Sequence, residues 1–212
     1  MKYLLTNDIY YIKSKYKYIM LFYIINLIIL LFNMNNLNDR FVLSYLGLYV
    51  DYTYIFIYTI YYFYSMFVPI FFAVIMYNKD FNNKADTIFT RINVKKWCCI
   101  RIILIYVLVV VIKLLSYIIS SFFIKGIFEY YLYDILMNLV LVNVILILFS
   151  FFNNYQYSFI IFMVIIMFKL KYDIFLLDVN ISYVLIIFIL LCILNIFCIR
   201  KSINMQFERS DI

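Results

Sequence analysis

The chain has no histidine, only two glycines and only one proline among its 212 residues. Without histidine it lacks the base of Ser-His and Cys-His nucleophile systems and the usual histidine-rich metal sites. Two glycines cannot build the phosphate-binding loop of an ATPase or a dinucleotide-binding fingerprint. The four cysteines, Cys98, Cys99, Cys192 and Cys198, have no spacing that resembles a metal knuckle. We therefore expect a non-catalytic chain with no cofactor and no metal of its own.

Apolar residues dominate the composition, with 68% hydrophobic residues and a mean hydropathy of +1.02. A soluble core could not hide this much apolar surface, whereas a lipid bilayer can. The net charge of +7 does not indicate a nucleic-acid partner, because the basic residues cluster at the ends of apolar runs, where membrane orientation needs them. No linker rich in glycine or proline divides the sequence. These features predict an integral membrane protein with one all-α transmembrane domain over residues 1–212.

Six apolar stretches are candidates to cross about 30 Å of hydrocarbon at about 1.5 Å per helical residue. The fifth has the shortest uninterrupted apolar part, because Lys169, Lys171 and Asp173 break it up. It could cross obliquely with snorkelling lysines, or it could end in a re-entrant piece before the sixth stretch. The six predicted spans cover residues 18–32, 54–77, 102–124, 131–152, 157–170 and 181–199.

Lysine and arginine are distributed unequally between the two sides of these predicted spans. Thirteen fall on the side that holds both termini and the loop between spans two and three. The other side holds four, Arg40, Lys125, Lys169 and Lys171. Because cytoplasmic loops carry the excess of positive charge, both termini and that loop are expected in the cytoplasm. If the fifth stretch did not cross, the chain would have five crossings and the basic tail at residues 200–209 would lie outside. The distribution of lysine and arginine therefore also favours a crossing by the fifth stretch.

The loop between spans two and three, residues 78–101, combines six basic residues with an apolar helical face. Such a segment could lie on the cytoplasmic membrane surface and bind a soluble partner. Alternatively, it is an ordinary loop made basic by the positive-inside rule. Leu5, Ile9, Ile12 and Tyr16 show similar spacing, which predicts a short interfacial helix before the first span. The apolar face of the loop consists of Phe81, Ala85, Ile88, Phe89 and Ile92.

Lys113 lies midway along the third predicted span, where an ammonium costs about 2.5 to 3.5 kcal/mol on insertion scales. It could contact an anionic substrate group in a translocation path, or a carboxylate of a partner subunit. It could instead snorkel, or pair with an acid near the outer rim such as Asp134. All acidic residues near the outer side are expected at or beyond the ends of the spans. The amides of Asn26, Asn138, Asn143 and Asn195 are expected to bond between helices.

This architecture resembles the permease subunit of a type 2 ABC exporter. The shared features are an N-terminal amphipathic helix, six spans with both ends inside, a basic amphipathic loop after span two and a broken hairpin between spans five and six. The resemblance is most specific at residues 84–97, KADTIFTRINVKKW. This stretch is similar to the family's cytoplasmic segment between spans two and three, which ends in basic and aromatic residues at the start of span three. The sequence has Asp86 where the family often has glutamate, and residues 91–93 where a proline-containing turn is common.

The resemblance implies a coupling helix between spans two and three, on which a separate cytoplasmic ABC ATPase docks. It also implies an identical or sister permease subunit, and substrates among peptides, lipids and drug-like molecules. The alternative is a stand-alone membrane protein, an immunity factor or small channel that acts without ATP. The expected location is the plasma membrane of a bacterial cell. The residues that the resemblance assigns to ATPase docking are Phe81, Lys84, Asp86, Ile88, Phe89, Arg91 and Ile92.

Overall fold

The described part of the chain is entirely α-helical apart from short turns, and it contains no strand. The structure is a computed structural model. Its described part contains four long helices: α1 (Tyr16–Phe32), α2 (Val94–Ser121), α3 (Phe128–Phe152) and α4 (Ile181–Ser210). The structure describes residues 10, 13–14, 16–32, 64, 71, 94–123, 128–152, 157–158, 160–165 and 181–210.

Three of these helices are long and apolar enough to cross a membrane. Their membrane-length parts differ from the third, fourth and sixth predicted spans by at most three residues at either end. The sequence prediction of an all-α membrane protein is therefore confirmed for these three helices. They span Ile102–Ser121 in α2, Tyr130–Phe152 in α3 and Ile181–Cys198 in α4.

The first predicted span is a helix with nearly the predicted bounds, but it is short. At 17 residues, α1 is about 26 Å long, slightly less than the hydrocarbon thickness of about 30 Å. The second predicted span lies outside the described residues except for Tyr64 and Phe71. The fifth is described only at residues 157–158 and 160–165, which are helical. Most of the predicted N-terminal interfacial helix also lies outside the described part.

Lipid explains why these sequences form helices. The interior of a bilayer contains no water that could hydrogen-bond to the backbone. A single spanning segment must therefore satisfy its own N–H and C=O groups, as a helix does. Serine hydroxyls also bond to carbonyls near the end of α2. Ser120 donates to Tyr117 O at 2.9 Å and Ser121 to Ile118 O at 2.8 Å. A turn bond from Phe123 N to Ser120 O then ends the helix.

Helix α3 is the centre of the described bundle. It packs most extensively against α4, less extensively against α2, and α2 also contacts α1 and α4. The membrane-length part of α3 is the most buried of the three, and that of α4 is the most exposed. Exposed apolar side chains on α4, such as Ile186, Leu190 and Leu194, are suited to contact lipid.

Helix α1 is attached to α2 by two polar contacts and an aromatic cluster. The hydroxyl of Tyr23 donates to Ile112 O at 3.0 Å, and Asn26 Nδ2 donates to Ser116 Oγ at 3.4 Å. Buried Phe22 packs on Ile112, and its ring stacks on that of Tyr64 at a centroid distance of 5.2 Å. Helix α2 is therefore fixed on one side by α1 and on the other by α3 and α4.

Candidate functional site

A buried ion pair lies between α2 and α3. Lys113 Nζ donates to Asp134 Oδ1 at 2.9 Å. Only 3% of Lys113 and 1% of Asp134 are exposed. Ionisable residues inside a membrane are costly, face the bundle interior and commonly mark functional sites. The pair is therefore the first candidate for such a site on this chain.

The structure confirms one of the alternatives that the sequence left open for Lys113, which is pairing with Asp134. Asp134 lies inside the span that begins at Tyr130, rather than at or beyond its end as expected for the outer-side carboxylates. Counted from that end, Asp134 is about 6 Å deep, and Lys113 is about 12 Å deep counted from Ser121. The difference of about 6 Å is within reach of the four-carbon lysine stem. A lysine in mid-span can therefore reach an acid nearer the rim.

Asn138 completes this cluster from the next turn of α3. Its Nδ2 donates to Asp134 Oδ1 at 2.7 Å and to Asp134 O at 2.8 Å. The two oxygen partners fix the orientation of the amide, because a flip would turn Oδ1 toward them. Asn138 is fully buried, and its Oδ1 has no hydrogen-bond partner within the described part of the chain. One acceptor is thus left open beside the ion pair.

The surroundings of the cluster are unequal on its two sides along the membrane normal. Toward Ser121, at the C-terminal end of α2, the buried residues include polar Ser116 and Ser120, and Tyr117 stacks on Tyr131 at 4.4 Å. In the other direction α2 buries only aliphatic side chains until Tyr106 is reached. These are Val109 and Ile112, with Ile105 beyond them. The charged groups therefore lie between a polar region near the C-terminal end of α2 and an apolar layer.

A second, uncharged cluster lies beyond this apolar layer and joins three helices. Asn143 Oδ1, on α3, accepts hydrogen bonds from Tyr106 of α2 and from Asn195 Nδ2 of α4, the latter at 2.7 Å. Cys192 Sγ lies 3.3 Å from the Tyr106 hydroxyl. Asn143 Nδ2 donates to Leu139 O at 3.0 Å. Asn143 is therefore the centre of the contact between α2, α3 and α4.

Three of the four amides in the spans bond between helices as the sequence predicted, and for the fourth the prediction was wrong. Asn26, Asn143 and Asn195 each bond to another helix. Asn138 instead supports an acid on its own helix. Tyr106 was not predicted as a site residue, because one hydroxyl in a span is inconspicuous in a chain with 24 tyrosines. A tyrosine two helical turns before an intramembrane lysine was the available signal, since residues seven apart share a helix face.

The residues predicted to dock an ATPase, Phe81 through Ile92, lie outside the described residues. The described part of the chain resumes shortly after them, at the start of α2. This helix begins at Val94, eight residues before its membrane-length part starts at Ile102, and it continues unbroken to Ser121. The helical extension contains the basic positions 95, 96 and 101. Helix α4 extends in the same way past Cys198 to Ser210 and contains the basic positions 200, 201 and 209.

Within the described residues, no group of three or more His, Cys, Asp or Glu side chains could hold a metal ion. The contacts within the two clusters are a charge pair and hydrogen bonds between buried side chains. Comparisons of the chain with protein families, with curated proteins and with solved structures found no match.

Proposed function

We propose that this chain is the transmembrane permease subunit of an ATP-driven exporter, powered by a separate cytoplasmic ABC ATPase. The observation that carries the proposal is the continuity of α2. This one helix of 28 residues begins directly after the predicted docking segment and carries Lys113 to the buried pair with Asp134. Because α2 is one continuous helix, a movement of the docking segment would be transmitted along it to the ion pair.

The contacts between α2 and α4 support a common side for the two basic helical extensions. Tyr106 lies about 6 Å inside the start of the α2 span, and Cys192 about 9 Å inside the end of the α4 span. Their side chains touch. An antiparallel arrangement matches these depths and puts both extensions beyond the same membrane face. The positive-inside rule then assigns that face to the cytoplasm, where an ATPase would bind.

Unequal packing supports a division of the bundle into a fixed and a movable part. Helices α3 and α4 share the largest helix contact, whereas α2 contacts α3 much less. The α2–α3 contact also contains the ion pair, whose polar groups can exchange partners. In the proposed mechanism, ATP-driven movement shifts α2, while α3 and α4 stay together. The Lys113–Asp134 pair then opens and closes with each cycle.

The proposal includes the partners and location that go with this role. The permease would act with a second, identical or sister permease subunit in the plasma membrane of a bacterial cell. The chain itself would carry no cofactor and would catalyse no reaction. Its substrate would be a peptide, a lipid or a drug-like molecule that interacts with polar groups between the helices.

Purification of the tagged chain in mild detergent tests the proposal. We expect recovery of a stoichiometric second polypeptide that binds and hydrolyses ATP and carries a Walker motif. Hydrolysis should disappear when the lysine of that motif in the partner is replaced, which identifies the source of the activity. Recovery of this chain alone, from membranes in which it is fully folded, would instead favour a stand-alone immunity factor or small channel.

A further inference from the structure

The carbonyl oxygen of Ile112, in the middle of α2, accepts hydrogen bonds from two side chains. The hydroxyl of Tyr23, on α1, donates to it at 3.0 Å. The hydroxyl of Ser116, one turn further along α2, donates to it at 3.1 Å. In an unbroken α-helix the same oxygen also accepts from the backbone N–H of Ser116. Three donors therefore share one carbonyl oxygen, which has only two lone pairs.

Helix α1 also contacts the second of these donors. Asn26 Nδ2 donates to Ser116 Oγ at 3.4 Å. The Ser116 hydroxyl has one proton, which it donates to Ile112 O, so its oxygen is left to accept from Asn26. Tyr23 and Asn26 lie close to one turn apart on α1. Both therefore act on the same turn of α2, at residues 112–116.

Aromatic packing holds the Tyr23 hydroxyl against α2. Buried Phe22 packs on Ile112, and the rings of Phe22 and Tyr23 meet edge to face at a centroid distance of 5.2 Å. Tyr64, from the second predicted span, stacks on Phe22 and donates to Phe22 O at 2.7 Å. These contacts fix α1 beside Ile112, so the hydrogen bond from Tyr23 belongs to the packed interface between the two helices.

Donors that compete for a helix carbonyl weaken the intrahelical hydrogen bond at that position. A side chain that inserts into the helical ladder is a recognised cause of bends, and a serine that bonds back by one turn often bends its helix. Inside a membrane no water replaces a weakened backbone bond, so the side-chain donors decide how well the carbonyl is satisfied. Lys113 belongs to this same turn. Its backbone position therefore depends on how tightly the turn is wound.

We propose that the turn at residues 112–116 is a flexible point within α2, and that α1 sets its looseness through Tyr23 and Asn26. The two halves of α2 change direction relative to each other at this turn, and Lys113 moves relative to Asp134 when they do. The inference goes beyond the proposed transport function. It concerns α1 and α2 alone and requires no ATPase.

Hydrogen exchange of the Ser116 backbone amide tests the inference, because this amide competes with Tyr23 for Ile112 O. The full-length chain, labelled with ¹⁵N-serine and held in lipid nanodiscs with any bound partner, gives the NMR signal. The variant Ser116→Ala identifies that signal by its loss. Tyr23→Phe removes the competing hydroxyl and keeps the ring. It should slow exchange of the Ser116 amide about threefold, the equivalent of one average hydrogen bond in a membrane.

The direction of the change separates this inference from simple packing. If Tyr23 only held α1 against α2, its loss would loosen α2 and exchange would become faster. Faster or unchanged exchange in Tyr23→Phe would therefore overturn the inference. The matched control is Tyr64→Phe, which removes a hydroxyl from the same aromatic group, but one that donates to Phe22 O of α1. It should leave the Ser116 amide unchanged, and equal slowing by this control would also contradict the inference.

The variant Ser116→Ala provides a second measurement that does not depend on Tyr23→Phe. The chain has only two alanines, at positions 73 and 85, so ¹⁵N-alanine labelling resolves the amide at position 116 of this variant. Without the serine hydroxyl, exchange at position 116 should be slower than in the wild type after correction for the intrinsic rates of the two residue types. Faster or equal exchange would count against the inference. None of these results depends on whether an ATPase binds, so each leaves the exporter assignment as it was.

Discussion

The ammonium of Lys113 in α2 lies 2.9 Å from a carboxylate oxygen of Asp134 in α3, and both side chains are buried in the bundle. The pair joins two helices whose other contacts are few compared with those between α3 and α4. Removing one charge alone leaves the other buried without this ion-pair partner. This dependence makes the pair the most informative target for mutation in the described part of the chain.

Replacing one member of the pair should destabilise the protein strongly, and replacing both should not. Lys113→Met leaves the Asp134 carboxylate buried without its cation, which should cost about 3 to 5 kcal/mol of unfolding free energy. Lys113→Met/Asp134→Asn should recover most of that loss. Unfolding by a denaturing detergent, monitored by circular dichroism, gives the unfolding free energies of the wild type, the single variant and the double variant. A single variant as stable as the wild type would mean that the pair is not buried in the membrane.

The same double variant separates structure from transport. Because it restores charge balance, it should assemble and hydrolyse ATP, yet it should not export substrate if the pair opens during each cycle. Substrate uptake into inverted vesicles, in which the cytoplasmic face is outside, can be measured beside ATP hydrolysis on the same preparation. Full export by the double variant would show that the pair serves stability alone.

In the second cluster, Asn143 should matter more than Tyr106. Tyr106→Phe removes one donor from Asn143 Oδ1, which still accepts from Asn195, so the cost should be about 0.6 kcal/mol, the average for such bonds in membranes. Asn143→Leu removes the acceptor shared by both partners and should cost up to about 1.7 kcal/mol. The unfolding assay compares the two. A larger effect of Tyr106→Phe would contradict the central role of Asn143.

Single cysteines in a cysteine-free background test the topology. Cysteines at Asn36 and Asp178 should react with an impermeant thiol reagent on intact cells. Cysteines at Asn83 and Ser210 should react only after permeabilisation, because the thirteen-to-four charge distribution puts them inside. External labelling at Ser210 would remove one crossing, and with it the six-span architecture.

The sequence predicts the membrane-length helices well because their signal is local. Apolar runs of about 20 residues can be interpreted from helix geometry and bilayer thickness alone. The ends of the membrane-length parts of α2, α3 and α4 agree with the prediction within three residues. The intramembrane lysine was recognisable for the same reason, since one charge in an apolar run is conspicuous whatever surrounds it.

The partners of polar residues were harder to predict, because they depend on how helices rotate and stagger against each other. Pairing with Asp134 was one of several alternatives for Lys113, and only the packing of α3 on α2 selects it. The contacts of Tyr106 with Asn143 and Cys192 join residues far apart in sequence, on three helices. Sequence spacing gives the face of a single helix but not which neighbour covers it.

The central claim, that an ATPase docks on the segment before α2, is tested most directly by how much ATPase remains with purified variants of that segment. Truncation of an anchoring aromatic commonly costs about 2 kcal/mol or more, roughly thirtyfold in affinity, whereas a lysine at the rim contributes far less. Phe89→Ala should therefore lose most of the ATPase that accompanies the wild-type chain, and Lys84→Ala should retain it. Full retention of the ATPase by both Phe89→Ala and Ile88→Ala would mean that the segment is an ordinary basic loop and would contradict the account.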